Sequence, residues 1–383
     1  MRYLALTGLL LLFNIHSKAQ TSSHKNILQF IFTSDAHYGI TRTTFRNDTA
    51  VSGHIVNAAM IKEMNQLPQI KLPDDGGVDA GNLTGPVDYL IEGGDIANRM
   101  EIHDQSDAQS WKQFCSDYMN GLTLTGKSGQ KTKLFLIPGN HDITNAIGFY
   151  KPMKPTTDPT SMVAIYNLMM KPQKMLTTKN YDYSKDKINY SKNIDGIHFM
   201  FITLWPDSSE RIWMEKDLRS VSTKMPVILF THDQPESEAK HFTNPSKAPD
   251  INANDRFEDL LDEVYKDSTA APPDGGTTVI EQRGWVAFLK KHPNVKAYFH
   301  GNDNFNQFYN YTGPDNDVSL PVFRVDSPMK GNYSSKDETK LSFQLVTINT
   351  KTLTMTVREC LWNADPSHPA KSIKWGESRT IHL

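Results

Sequence analysis

Leu134-Phe135-Leu136-Ile137-Pro138-Gly139-Asn140-His141-Asp142 is a short apolar run, a proline–glycine stop, and then an amide, an imidazole and a carboxylate. Such a run, ending at glycine or a polar residue, reads as a buried strand of an α/β sheet. Ligands of these sheets collect outside the carboxyl ends of the strands. The residues just past the stop are therefore placed for chemistry. Working outward, the same arrangement recurs. The run 28–32 leads to Asp35 and His37. The run 89–91 leads through Gly93-Gly94 to Asp95. The run 227–230 leads to His232, and 295–299 leads to Asn302 and Asn304. Side chains of these types at so many strand ends point to one cleft lined with metal ligands.

The rest of the chain fits a globular protein built around that sheet. Its 383 residues are 38% hydrophobic and 22% charged, enough for a sizeable core. A formal net charge of -2 with no basic run gives no signature of nucleic-acid binding. Arg2, the apolar run 4–13 and Ser17-Lys18-Ala19 read as a secretory signal over 1–19, cleaved after Ala19, which predicts an exported protein. That apolar run is too short to span a bilayer, and no later segment has eighteen unbroken apolar residues. Cys115 and Cys360 are the only cysteines; an oxidising compartment allows them to pair or to stay as separate thiols.

Residues 26–383 read as a single catalytic domain with loop insertions and a β-rich C-terminal end. Helices are expected over 50–67, 106–119, 209–221 and 281–291, and near 257–265. Strands are expected over 28–33, 87–91, 133–137, 197–204 and 226–230, then over 322–325, 341–348 and 353–357 in the tail. The segments 41–49, 151–159 and 235–273 read as surface insertions able to set specificity. Met162, Met169 and Met170 are expected to pack rather than bind a ligand.

The residue types suit two divalent ions held close together. Asp95 is the natural bridging carboxylate. Asp35 and His37, two apart at one strand end, can face the same ion. Asn140 offers a carbonyl oxygen and His232 a nitrogen. Oxygen and nitrogen ligation without thiolate suits Mn, Fe, Zn or Mg rather than a structural zinc.

Asp35-Ala36-His37, Gly94-Asp95, Gly139-Asn140-His141-Asp142, Thr231-His232 and Gly301-Asn302-Asp303-Asn304 resemble, in order and in strand context, the motifs of the calcineurin-like metallophosphoesterases. The resemblance implies an α/β fold in which two mixed β-sheets pack as a sandwich flanked by helices. It implies two metals on Asp35, His37, Asp95, Asn140 and His232, and His141 near the phosphate or leaving group. It also implies hydrolysis of a phosphomonoester or phosphodiester by a metal-bound hydroxide. Gly94-Asp95-Ile96-Ala97-Asn98-Arg99 is similar to a stretch of the family's protein phosphatase branch, which makes Arg99 a candidate phosphate contact.

The last motif departs from the family. Where a Gly-His-x-His is usual, both histidines are asparagines, Asn302 and Asn304. An amide oxygen is a weaker ligand than imidazole for Zn or Fe. Three arrangements follow: a preference for harder ions such as Mn or Mg, one loosely held metal, or entry of His300 in place of an asparagine. Alignment on Gly301 favours Asn302 and Asn304. The alternative function is a catalytically impaired protein of the same fold that binds a phosphorylated ligand without turnover.

Overall fold

The structure, a computed structural model, describes residues 25–98, 105–143, 159–182, 185–236, 279–369 and 372–383. The expected signal over 1–19, the helix near 257–265 and Arg99 lie outside them. Every residue of β1 (Ile27–Thr33) is buried. Burial on both faces is what an unbroken apolar strand requires. β1 pairs in parallel with β4 (Tyr89–Glu92), and β4 with β5 (Lys133–Leu136). On its other side β1 pairs antiparallel with β12 (Ser342–Asn349), followed outward by β13 (Thr354–Leu361) and β14 (Lys374–His382).

The second sheet repeats the plan. β7 (Ile197–Phe201), β8 (Val227–Phe230), β9 (Val295–His300) and β11 (Leu320–Arg324) run parallel. The antiparallel strands β6 (Tyr190–Ile194) and β10 (Gln307–Tyr311) lie at its two edges. The two six-stranded mixed sheets pack face to face through aromatic rings. Phe30 of β1 meets Phe199, Phe230 and Phe299 edge-on at 5.7, 5.7 and 5.8 Å between ring centres. Such pairs add directional attraction to their area burial.

Helices flank the sandwich. α1 (Gly53–Met64) buries Val56, Met60 and Met64. α2 (Asp107–Phe114) is capped by Ser106, whose hydroxyl accepts from Gln109 N. α3 (Asn140–Ile143) is a single turn, and α4 (Thr160–Met170) packs beside β5. α5 (Ser208–Leu218) starts where Asp207 accepts from Glu210 N, and α6 (Val279–Lys291) sets Trp285 against Tyr298 of the second sheet. The fold is mixed α/β, as the chain's patterning implies.

Some details differ from expectation. The segment 41–49 is not a plain loop. It forms the hairpin of β2 (Thr41–Phe45) and β3 (Asp48–Ser52), which turns through Arg46 and Asn47, both at positive φ. Two consecutive left-handed residues give the turn whose twist suits a two-residue hairpin, and a polar sequence with only Arg42, Phe45 and Val51 buried hid it. The expected helix over 106–119 leaves α-geometry at Cys115 and continues as a π-turn to Asn120. Cys115 and Cys360 are free thiols. No helix among the described residues is long and apolar enough to cross a membrane.

Candidate metal centre

The expected ligands all follow carboxyl ends of parallel strands: Asp35 and His37 after β1, Asp95 after β4, Asn140 and His141 after β5, His232 after β8, Asn302 and Asn304 after β9. Backbone bonds tie these loops together. Asp35 N donates to Gly94 O at 2.8 Å, His37 N to Asp95 O at 2.9 Å, and Gly301 N to His232 O at 3.0 Å. Asp35, His37, Asp95, Asn302 and Asn304 all adopt positive φ. Left-handed backbone costs an L-residue roughly 1–2 kcal/mol, least for Asp and Asn. Such residues also occur in turns elsewhere, but here five of the candidate ligands share this backbone.

Two glycines make the crowding feasible. A Cβ on Gly139 would overlap the Asp95 carboxylate and its backbone nitrogen. A Cβ on Gly301 would collide with Ser34 Oγ and Asp35 Oδ2. These glycines are spacers that let neighbouring strand ends touch.

Asp95 is the hub. Its Oδ1 accepts the amide of His141 at 2.7 Å. Its Oδ2 faces three imidazoles: His232 Nε2 at 3.4 Å, His37 Nε2 at 3.7 Å and His141 Nε2 at 3.8 Å. Asp35 Oδ1 lies 3.4 Å from His37 Nε2. His232 Nε2 is 3.1 Å from Asn140 Oδ1, and its Nδ1 is 2.8 Å from Gly93 O. A proton on Nδ1, donated to that carbonyl, turns Nε2 toward the cleft as a lone-pair donor. Asp35, His37, Asp95 and His232 are all at most 2% exposed. Two trios share Asp95: Asp35–Asp95–His232 and His37–Asp95–His141, each with donor atoms within 4.8 Å of one another. Buried, closely spaced O and N donors without thiolate fit divalent cations.

The charges agree with that reading. Burial disfavours an ionised Asp95, but the imidazoles of His232 and His141 outweigh it and hold the carboxyl well below the usual range. Burial also opposes charge on His232; Asp95 outweighs it and raises the ring well above its ordinary value. A metal ligand must be deprotonated, so His232 yields this proton to any cation that binds. Burial, with the charge of Lys330 second, pushes His37 down and His141 well down.

The description of the calcineurin-like phosphoesterase family matches residues 28–315, well over half of the chain. The chain belongs to that family. It is a metal-dependent phosphoesterase, and the family's reliance on two metals agrees with two donor trios sharing one carboxylate. No curated protein matches it by sequence. Among solved structures it resembles a dimetal phosphatase from Danio rerio at 8% identity and a TM-score of 0.43, covering 87% of this chain and 95% of that one. It also resembles the phosphopantetheinyl hydrolase of Mycobacterium tuberculosis at 11% identity and a TM-score of 0.33, covering 79% and 91%. A calcineurin-like phosphoesterase from Bacillus subtilis stands at 10% identity and a TM-score of 0.33, covering 93% and 90%.

The departure of this phosphoesterase from its family takes a definite form. Asn302 N donates to Asp35 Oδ2 at 3.0 Å, and its side-chain amide donates to Gln234 Oε1 at 3.1 Å. Asn304 donates its amide to Asn302 O at 2.6 Å, while its Oδ1 is buried without a hydrogen bond. An orphaned amide oxygen suits a cation better than it suits an empty interior. His300 is engaged elsewhere, with Nδ1 2.9 Å from Gly301 O and Nε2 3.2 Å from Tyr309 OH. Both of its ring nitrogens therefore have partners within the protein.

Two further residues of the cleft escape sequence reasoning. Asp142, quoted in the motif but given no role, accepts the amides of Gly139, Ala97 and Ile96 at 3.0, 3.1 and 3.2 Å. It clamps the loop bearing Asp95 to the loop bearing Asn140. Lys330, after β11, brings its Nζ to 3.2 Å from His141 Nε2. The available signal was the expected strand 322–325, apolar but for Arg324, stopping at Asp326-Ser327-Pro328.

Proposed function

We propose that this chain is an exported two-metal phosphoesterase acting on a phosphomonoester or phosphodiester. The observation that carries it is the convergence of Asp35, His37, His141 and His232 on one buried carboxylate, Asp95. Two divalent ions (Mn, Fe, Zn or Mg), when bound, supply an activated water and neutralise phosphate charge.

The protein's own residues do the rest. Asp95, Asp35, His37, Asn140, His232, Asn302 and Asn304 would hold such ions, with Asp95 common to both groups of donors. Asp142 and the glycine spacers fix the separation of the loops. His141 has its amide on Asp95 Oδ1 and its ring at the partly exposed rim. It is placed to meet the phosphate or leaving group as a hydrogen-bond partner or proton donor. Arg99 is proposed as a further phosphate contact on sequence grounds alone.

The test is hydrolysis of a paired chromogenic phosphomonoester and phosphodiester by metal-stripped protein given Mn, Mg, Zn or Fe, with Asp95→Asn as control. Metal-dependent turnover lost in that variant supports the reading, and the better substrate selects the ester class. The second reading, a phospho-ligand-binding protein impaired in catalysis, is favoured by Asn302 and Asn304; it gains if no ion restores turnover. Export rests on the segment 1–19. It is checked by the N-terminal mass of the protein recovered from an exporting bacterium, where a retained Met1 would refute it.

A further inference from the structure

The loop after β11 is fastened directly to the cleft. Val325 N donates to His300 O at 3.1 Å, continuing the pairing of β11 with β9 beyond the strand end. Ser327 Oγ donates to the carbonyl of Asp35 at 2.8 Å. The same oxygen accepts the amides of Met329 at 3.1 Å and Lys330 at 2.9 Å. The backbone that carries Lys330 is thus bonded to the backbone that carries a metal ligand. The ammonium ends 3.2 Å from His141 Nε2, at the partly exposed side of the cleft. It lies within electrostatic reach of Asp35, Asp95 and His37.

The position is unusual for a lysine. Among the ligand candidates only Asp35 and Asp95 are anionic; His37, Asn140, His232, Asn302 and Asn304 are neutral donors. Two divalent ions would already exceed the charge of those two carboxylates. A further fixed cation beside them is unfavourable until an anion enters between. A lysine ammonium is a compact phosphate donor, as in phosphate-binding loops. Burial lowers the Lys330 ammonium from its ordinary value while the charges of Asp95 and Asp35 oppose that, and geometry holds this amine directly beside His141.

We infer that Lys330 binds a non-bridging oxygen of the substrate phosphate beside His141, giving this phosphoesterase a substrate-binding residue carried by the loop after β11. The inference rests on the phosphoesterase reading. It implies that ligands with a dianionic terminal phosphate bind best, because an additional cation rewards charge as well as shape.

The experiment compares wild type, Lys330→Met and Lys330→Arg in three measurements: metal content by elemental analysis, inorganic phosphate affinity by calorimetry on metal-loaded protein, and kcat/KM on a chromogenic phosphomonoester. Lys330→Met should keep its metal, lose about 10- to 100-fold in phosphate affinity, and lose at least as much in kcat/KM. Lys330→Arg should recover part of both, since it keeps the charge with a different fork. Unchanged phosphate affinity in Lys330→Met overturns the inference. So does a rise in metal content with phosphate affinity kept, which would make the lysine a competitor of the cation. Wild-type protein that turns over nothing yet loses phosphate affinity in Lys330→Met would refute hydrolysis and leave the inference standing.

Discussion

The backbone amide of His141 donates to Asp95 Oδ1 at 2.7 Å, so one oxygen of this carboxylate serves the fold and the other serves the cleft. Oδ2 is the atom the three imidazoles surround. Asp95→Asn can preserve the first role through its own Oδ1, but it removes the charge. The expected result is a folded protein with little metal and a loss of turnover of about 10³-fold or more, beyond what loss of a single donor produces. Elemental analysis with a circular dichroism melt checks it. Retained metal and wild-type rates would remove Asp95 from the centre of the site.

Gly139→Ala tests whether close approach matters more than backbone freedom. Its Cβ would meet the Asp95 carboxylate, while a Cβ on Gly129, a glycine at positive φ, meets nothing within 4 Å. Gly129→Ala should cost about 1 kcal/mol of stability and leave metal binding intact. Gly139→Ala should weaken metal binding by about 10- to 100-fold, the range seen when a ligand loses its supporting contacts. Equal effects of the two on metal affinity would count against the spacer role.

Asn302→His with Asn304→His should shift the metal preference toward Zn and Fe relative to Mn and Mg, because imidazole is the better ligand for the former. Competition between Zn and Mn for stripped protein measures it. If the double variant binds the two metals in the wild-type ratio, these asparagines are not ligands. If it gains turnover that wild type lacks under every ion, the impaired-binder reading is the correct one.

Far from the cleft, Asp75 caps a buried guanidinium. Arg358, fully buried in β13, donates from Nε and Nη2 to Asp75 at 2.8 and 2.9 Å, and from Nη2 to Val78 O at 2.9 Å. Burial alone would raise the Asp75 carboxyl, but the Arg358 hydrogen bonds and charge outweigh it and bring it from 3.8 to about 2. The folded-state value is depressed, so the stabilisation is present above about 3.8 and fades as pH falls toward about 2. Discounted for solvent at this exposed loop, the ionised carboxylate contributes about 1 kcal/mol. Asp75→Asn should therefore lower stability by about 2 kcal/mol at pH 7, because the guanidinium is also left without its partner. Urea melts of both proteins at pH 7 and pH 3 should show the gap narrowing in acid. A gap of the same size at both would mean that the charge is not the cause.

The parallel strands were legible in the sequence because they are buried on both faces and so read as plain apolar runs. Phe30, Ile31 and Phe32 lie in such a run, and all are buried in β1. Edge strands were not: β14 has only alternating partial burial, and β6 and β10 mix polar and apolar positions with no clear period. The cleft was legible where Asp, His or Asn followed a strand at once. Lys330 was not, because a lysine after Pro328-Met329 is ordinarily a solvated surface residue. Its place depends on β11 joining β9 in parallel, and no local pattern states that pairing.

The pairing of Ile27 with Asn349 and Phe32 with Gln344 joins residues more than three hundred positions apart. Such a contact order makes folding slow and late. β1 has β4 on one side early in synthesis, but its other flank has no partner until β12 has been made. The loop with Asp35 and His37 emerges near the beginning, can bond Gly94 and Asp95 soon after, and meets Asn302 and Ser327 only much later. Nascent chains stopped before Ser342 should therefore remain open to protease around β1, and protection there would show that the first sheet closes without its C-terminal strands. Protection only after β12 is made would tie the ordering of the first metal ligands to a strand more than three hundred residues downstream.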